Sequence, residues 1–441
     1  MNQWDGQQVY VMGLGRFGGG VGVTRYLAGQ GAQVIVGDSG NPDGLAESIG
    51  QLQDLIDAKN VRLVFGEHKE SDLDGVGFVV VNPAIPRPWN NGFISKARSL
   101  GIAITTEIEI AYRLLDPAKV IAVTGSAGKS TTCAMIHHAL VKTGHRSVLG
   151  GNIGGSLLAE LDAIERGATV VLELSSAMLY WLGESGVLEE SPPRVGCVSN
   201  CVSNHLDWHG DAEHYEESKR VLAGCAERLV LGFGVADWGD GVVVSEDDAL
   251  GGCAVPGKHN GINGAMAVEA AVLMVGDVER EQIVEAVRGF GGLPHRLQLV
   301  HEAQGVREGV RFYNDSKCTV PDATALAVEA IGGLVAWSKI HLIAGGYDKG
   351  SDLSLISEMS SELAGLYGIG VTGAGIVGAA NGDAFDCGDL DRAMGLIQGR
   401  VLDGDVVLLS PGCASWDQFA NYEERGDLFT ELARAMQRNR V

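Results

Sequence analysis

No apolar run in this chain approaches the roughly 18 residues that a membrane-spanning helix needs. Its start, Met1-Asn2-Gln3-Trp4-Asp5-Gly6, has neither the basic patch nor the apolar stretch of a secretory signal. Cysteine is sparse, with eight in 441 residues. That is too few for a disulfide framework, so a cytoplasmic setting with reduced thiols is expected. Basic charge is short too: 33 Lys and Arg against 56 Asp and Glu leave a net charge of −23. Such a surface repels nucleic acid and anionic lipid. Neither is an expected partner, and an anionic substrate must be met by local Lys, Arg, Mg²⁺ or helix N-termini. There is no internal repeat and no low-complexity segment. A monomer is expected.

What is abundant is glycine. Its 64 residues are about twice the usual share. That favours strand–helix turns and close backbone approach to ligands. The length suggests about three domains of ~150 residues each.

The most informative stretch is Thr124-Gly125-Ser126-Ala127-Gly128-Lys129-Ser130-Thr131-Thr132. It follows the buried-strand pattern Val120–Val123 and precedes a helical pattern over Cys133–Leu140. A strand, a glycine turn, Lys-Ser and a helix make a phosphate cradle. Backbone N–H groups and the positive helix end face the anion, Lys129 adds a full charge, and the Ser130 hydroxyl can hold Mg²⁺. The usual nucleotide loop has a glycine where Val123 stands, so this is a shortened form. The plain alternative is a tight turn.

Upstream, strands are expected at Val9–Met12, Val34–Gly37 and Gly77–Asn82. Between the first two lies Gly13-Leu14-Gly15-Arg16-Phe17-Gly18, with Asp38 following 20 residues after Gly18. This is a dinucleotide-type fingerprint: glycines for close approach to a diphosphate, and an acid to read a ribose or base. Taken alone it reads as an NAD dehydrogenase, which leaves the phosphate loop unexplained.

Downstream, Val170-Val171-Leu172-Glu173 is a strand ending in a carboxylate, and Asn204-His205-Leu206-Asp207-Trp208-His209-Gly210 is a polar loop after another strand. A carboxylate and an imidazole at strand ends beside a phosphate loop suit Mg²⁺. Taken singly, each reads more readily as a surface acid or a loop histidine; both falling in the expected frame reverses that. Cys197, Cys201, His205 and His209 recur every four residues, the spacing of one helix face, and a zinc site is conceivable. Cys197, however, sits in a strand-like segment. A third block starts after Leu293-Pro294-His295-Arg296, with strands at His341–Ala344 and Val406–Leu409.

In order along the chain, these motifs resemble the Mur ligases, ATP-dependent amide-forming enzymes of peptidoglycan precursor synthesis. The resemblance rests on the glycine opening, TGSAGKSTT, GNIG at Gly151–Gly154, LELSS at Leu172–Ser176, NHLDWHG, and Tyr215 with Lys219. It continues through GKHNGING at Gly257–Gly264, LPHR, NDSKCT at Asn314–Thr319, GGYDKG at Gly345–Gly350 and SPGCASWDQF at Ser410–Phe419. The last three blocks resemble the D-glutamate-adding branch. The implied architecture is α/β in three domains: a Rossmann-like nucleotide-sugar domain over 1–108, a central ATPase domain with a mainly parallel sheet over 109–298, and a Rossmann-like C-terminal domain over 299–441.

The resemblance implies substrates and roles. UDP-N-acetylmuramoyl-L-alanine would be joined to D-glutamate through an acyl phosphate made from ATP. Gly125, Ser126, Ala127, Gly128, Lys129, Ser130 and Thr131 would hold phosphates, and Asn260, Asn263, Arg296 and Asp315 would grip the rest of ATP. Ser130 and Glu173 would ligate one Mg²⁺. His205 would ligate a second, beside Lys219, which matches the family's carbamylated lysine. Lys129, His205 and Lys219 are thus the expected catalytic residues. Gly13, Gly15, Arg16, Asp38, Ser39, Asn82 and Asn152 would meet the UDP substrate. Lys317, Thr319, Lys349, Ser415 and Tyr422 would receive D-glutamate.

Several positions depart from the family pattern. Ala127 stands where Asn is usual, Asn204 where an acid usually precedes the metal histidine, and Ala177-Met178 where Phe-Gln is usual. Arg16-Phe17-Gly18-Gly19-Gly20 replaces a small hydroxyl-bearing loop, and Asn82-Pro83-Ala84 replaces Ser-Pro-Gly. A related ligase with another amino acid or acceptor, and a weakly active nucleotide-sugar-binding regulator, are the competing expectations.

Overall fold

Short Val, Ile and Leu runs bounded by glycine become parallel strands buried on both faces, because crossover helices cover the sheets they form. The computed structural model describes residues 3–15, 18–305, 307–347 and 350–436.

The first sheet holds β1 (Gln8–Met12), β2 (Gln33–Asp38), β3 (Val61–Phe65), β4 (Phe78–Val81) and β5 (Ala103–Thr106), all parallel in the order β3-β2-β1-β4-β5. The strand order reverses between β1 and β4, and the loops after these two strands carry Gly13 and Asn82. That is where open α/β sheets bind ligands. The second sheet holds β6 (Val120–Thr124), β7 (Ser147–Gly151), β8 (Thr169–Glu173), β9 (Val195–Val198), β10 (Leu229–Gly232) and β11 (Val242–Val244), parallel in the order β11-β10-β9-β6-β8-β7. The strand β6, which leads into the phosphate loop, lies between β8 and β9. The loop is therefore flanked by Glu173 on one side and Ser199-Asn200 on the other.

The third sheet holds β12 (Gln298–Glu302), β13 (Arg311–Asn314), β14 (Ile340–Gly345), β15 (Gly365–Ile369), β16 (Ala384–Gly388) and β17 (Val406–Leu409). Its order is β12-β13-β17-β14-β15-β16, with only β12 antiparallel to its neighbour.

The chain forms two compact units, Met1–Asp248 with Ile262–Val287, and Ala249–Gly261 with Arg288–Val441. In the first unit one apolar core runs through both sheets, from Val11 and Val36 to Ala122 and Leu172. In the second unit Leu342, Leu366 and Leu408 anchor one face of the third sheet, and Ile343, Ile369 and Leu409 the other. Among the described residues no helix is long and apolar enough to cross a membrane.

Leu172 is fully buried in β8, whereas Val243 on the edge strand β11 is exposed. Leu172→Ala should destabilise the first unit by about 2–5 kcal/mol, and Val243→Ala by less than about 0.5 kcal/mol. The shift of the urea transition checks both.

Candidate active site

The phosphate loop is set by two glycines that no other residue replaces cheaply. Gly125 has φ 150° and Gly128 φ 83°, a region where L side chains are strained. A Cβ on Gly128 would run into Asn263 Oδ1, and one on Gly125 into Ser199 Oγ. Gly128 caps the helix Lys129–Lys142 without a side-chain hydrogen bond, and no acid lies in the first turn. The positive helix end is thus not neutralised from within. Lys129 Nζ donates to Ser126 O at 3.1 Å, folding the side chain over the loop. Ser130 and Thr131 follow in the first turn, half-buried.

The loop is braced from β9. Ser126 N and Ala127 N donate to Asn200 Oδ1 at 3.1 and 3.0 Å. Asn200 Nδ2 and Ser199 Oγ donate to Ala127 O at 3.2 and 2.7 Å. Ser126 Oγ and Tyr215 OH are hydrogen-bonded at 2.8 Å. No sequence motif singles out Asn200 and Ser199. Their only signal was polar residues directly after a strand, and nothing local says that β9 neighbours β6.

Lys219 lies on the helix Ala212–Cys225, whose buried face is Tyr215, Ser218, Lys219 and Leu222. Read from residues alone it is a solvated helix lysine, yet only 1% of it is exposed. Its Nζ donates to Gly125 O at 2.8 Å and to Thr124 Oγ1 at 3.4 Å, and lies 4.8 Å from the centre of the Tyr215 ring. Burial above all, then the nearby Lys129 charge, pulls its pKa from 10.5 down to about 7.

Glu173 ends β8 and is 1% exposed. Its Oε1 accepts from Asn152 Nδ2 at 2.9 Å, but among the described residues the buried Oε2 has no hydrogen-bond partner, nor has Thr132 Oγ1 in the adjoining helix. A buried carboxylate oxygen left unpaired is costly, and a hard divalent cation is a fitting partner for it. Ser130, Glu173 and His205 therefore suit Mg²⁺ chemically. Among the described residues no three His, Cys, Asp or Glu side chains converge on a common metal position. His205 is exposed, in the left-handed region at φ 51°, with its ring 6.4 Å from that of Tyr215. Cys197 lies inside β9 and is fully buried, so the four-residue spacing does not place the zinc candidates on one helix face.

In the first sheet Gly13, Gly15 and Gly18 all have positive φ. Asp38 Oδ2 accepts from Leu14 N at 2.9 Å and Gly15 N at 3.1 Å, and Oδ1 from Gly40 N at 2.7 Å. The acid expected to read a ligand thus already holds the glycine loop. Asn82 packs against Gly13 and Gly15, Ser39 is exposed, and Asn152 is exposed at the other sheet. Arg16 lies outside the described residues.

In the second unit Asp315 is buried, accepting from Leu297 N at 3.1 Å and from Ser410 Oγ at 2.8 Å. Burial pushes its pKa up to about 7. Arg296 is exposed between His295 and Leu297, at φ 60° and 43°. Asn260 is buried, donating to Pro256 O at 2.7 Å. Lys317 Nζ lies 5.1 Å from the centre of the Tyr422 ring, Ser415 is buried and Thr319 half-buried. Lys349 lies outside the described residues. The residue missed here is Arg425, 1% exposed. It donates to Ser316 O at 2.8 Å, Ser316 Oγ at 3.0 Å and Cys413 O at 3.1 Å. It pins the loops that carry Lys317 and Ser415 to each other.

A phosphate loop on a parallel sheet, with a buried carboxylate and a buried lysine beside it, is the site of a phosphoryl-handling α/β enzyme. Residues 123–228 match the family described as the Mur ligase middle domain. The chain is 33% identical to the UDP-N-acetylmuramoylalanine–D-glutamate ligase of Pelotomaculum thermopropionicum, over 98% of each chain. It is 33% identical to that of Streptococcus pneumoniae, again over 98% of each. Its fold is shared with UDP-N-acetylmuramate–alanine ligase of Thermotoga maritima, with TM-score 0.60 and 18% identity over 97% of this chain and 99% of that one. It is shared also with the MurF ligase of the same organism, solved with ADP, with TM-score 0.52 and 16% identity over 92% and 96%. The chain belongs to the Mur ligases, in the group of the UDP-N-acetylmuramoylalanine–D-glutamate ligases.

Two outcomes follow from the geometry. Asn200→Ala unties three loop hydrogen bonds and should weaken ADP binding about tenfold, for a loss of roughly 1–2 kcal/mol, read by calorimetry. Between pH 7 and 10.5 the unfolded chain carries a proton on Lys219 that the folded chain has lost. This group therefore opposes folding most below pH 7, and the opposition fades as pH rises towards 10.5. Lys219→Met should accordingly raise the unfolding midpoint more at pH 6 than at pH 9 in buffer stripped of carbon dioxide.

Proposed function

We propose that this protein joins D-glutamate to UDP-N-acetylmuramoyl-L-alanine at the expense of ATP, in cytoplasmic peptidoglycan precursor synthesis. The observation that carries the reading is the pair of buried, opposite charges at the phosphate loop, Glu173 with an unpartnered oxygen and Lys219 with a depressed pKa. A chain of this family has a use for both.

A carboxylate is a poor acylating agent, and phosphorylation supplies a leaving group. The alanine carboxylate oxygen attacks the γ-phosphorus of ATP, the bond to the β,γ-bridging oxygen breaks, and ADP leaves. The D-glutamate amine then attacks the acyl carbon, loses a proton, and phosphate departs from the tetrahedral intermediate. Catalysis is chiefly positioning and charge neutralisation. Gly125–Thr131 hold the phosphates through backbone N–H groups, and Lys129 places its charge among them. Ser130 and Glu173 would hold one Mg²⁺, and His205 with Lys219 a second, which when bound would neutralise charge building on the transferring phosphoryl group. Asn152, fixed to Glu173, meets the muramoyl-alanine end.

The depressed pKa gives Lys219 a further step. A neutral amine attacks carbon dioxide, a proton is released, and a carbamate anion forms. At the ordinary lysine pKa almost no neutral amine is present at pH 7; at about 7 a large fraction is. A carbamate also reverses the sign of a buried charge that otherwise repels Lys129.

The glycine loop with Asp38, Ser39, Asn82 and Arg16 serves the UDP end. Asn260, Asn263, Arg296 and Asp315 serve the rest of ATP. Lys317, Thr319, Lys349, Ser415 and Tyr422 serve D-glutamate, whose carboxylates need cations in so acidic a protein. Functional domains over 1–108, 109–298 and 299–441 and a monomeric state complete the reading.

Phosphate release from ATP, with each component omitted in turn and L-glutamate as control, tests it. Release that needs Mg²⁺, the UDP substrate and D-glutamate and rejects L-glutamate is expected. Release indifferent to D-glutamate would leave the amine donor misassigned. A second outcome concerns Lys219: carbon-13 bicarbonate should give a carbamate signal in the wild type and none in Lys219→Arg. Lys219→Ala should lose roughly 10²–10³-fold in kcat.

A further inference from the structure

The histidine of NHLDWHG is tied to the first sheet by the tryptophan three residues later. Trp208 is 6% exposed, in the single turn Leu206–His209. Its indole Nε1 donates to Pro83 O at 3.0 Å, and Arg87 N donates back to Trp208 O at 3.2 Å. Pro83 follows Asn82, whose side chain packs on Gly13 and Gly15. The indole also meets Trp89 and Tyr180 edge-on, with ring centres 5.7 and 5.6 Å apart.

The other end of the turn leads to the metal-ligand candidates. Trp208 N and His209 N both donate to His205 O, at 3.0 and 2.9 Å. His209 Nε2 and Ser176 Oγ are hydrogen-bonded at 2.9 Å, and Ser176 opens the helix that follows Glu173. Both ends of the link hold a non-glycine residue in the left-handed region, Arg87 at φ 46° and His205 at φ 51°. Such conformations persist only where surrounding contacts over-determine them. A shift of the Asn82–Arg87 segment is thus transmitted to His205 through one side chain with few soft degrees of freedom.

We propose that Trp208 is a positioning residue that couples the two sites: sugar nucleotide at the glycine loop and the divalent cations, one at Glu173 and one at His205, strengthen each other's binding through it. This rests on the functional reading above. By linkage the coupling must be reciprocal. It would make the cation bind best when the carboxylate to be phosphorylated is present.

The test is Mn²⁺ affinity of the full chain, measured by electron paramagnetic resonance with and without saturating UDP-N-acetylmuramoyl-L-alanine. The wild type should bind Mn²⁺ at least about fivefold more tightly with the sugar nucleotide. Trp208→Phe keeps a ring and loses the Nε1 donor, and its ratio should fall to near one while each ligand still binds. Trp181→Phe is the control, a buried tryptophan of the same unit whose Nε1 has no hydrogen-bond partner among the described residues, and it should keep the wild-type ratio. Mn²⁺ held by the diphosphate itself is measured with the sugar nucleotide alone and subtracted for all three. Should Trp208→Phe fail to fold, Trp208→Tyr carries the same comparison. A full ratio in the Trp208 variant, or a wild-type ratio of one with both ligands bound, overturns the coupling alone. Failure of the sugar nucleotide to bind the wild type overturns the functional reading and the coupling with it.

Discussion

The site depends on one hydrogen bond, from the Lys219 amine to the Gly125 carbonyl at 2.8 Å. It fixes the first peptide of the phosphate loop to a helix packed beneath it. It also keeps an amine out of water in a protein with ample surface for it. Burying an ion without a close counter-charge is expensive, and the fall in pKa is how that expense shows. Glu173 is the mirror case, a carboxylate whose second oxygen has nothing to accept from. Lys219 and Glu173 bond to Gly125, Thr124 and Asn152 rather than to each other. Glu173 Oε2 is left needing a partner that no described residue supplies; the proposed cation would meet that need, and the proposed carbamate would relieve the buried amine of its charge.

The sheets explain why these groups meet. Placing β6 between β8 and β9 brings the loop, the carboxylate and the bracing Ser199-Asn200 to one edge, although they are up to about 75 residues apart in sequence. In the first sheet the strand order reverses between β1 and β4, and the glycine loop and Asn82 lie there. Because one core runs through both sheets, a contact such as Trp208 on Pro83 links the loop after β4 to the turn that follows His205 within a single packed body.

Much of this was legible in the residues. The strand, glycine turn and helix around Lys129 fell where the pattern placed them, because the turn needs glycine at fixed points and the strand is apolar on both faces. The strands around residues 9, 34, 78, 120, 170, 341 and 406 were readable for the same reason. β3 was not, since Arg62 interrupts its apolar run and most of it is only half-buried. Without the family resemblance Lys219 reads as a solvated helix lysine, because no local signal separates a buried helix lysine from a solvated one; only the packing of Tyr215 and Leu222 on the same face decides it. Asp38, the acid expected to read a ligand, also accepts from backbone N–H groups through both oxygens, a role in holding the glycine loop that the spacing alone does not reveal. Asn200 and Arg425 act across sequence separations that a single chain does not reveal.

On the proposed mechanism the phosphate loop and its buried charges activate a substrate carboxylate by phosphorylating it. Oxygen-18 in the alanine carboxylate of the UDP substrate tests this most directly. One labelled oxygen per turnover should appear in the released inorganic phosphate, as detected by mass spectrometry. Amide product formed with unlabelled phosphate would contradict it, since the carboxylate oxygen would then never have been bonded to phosphorus.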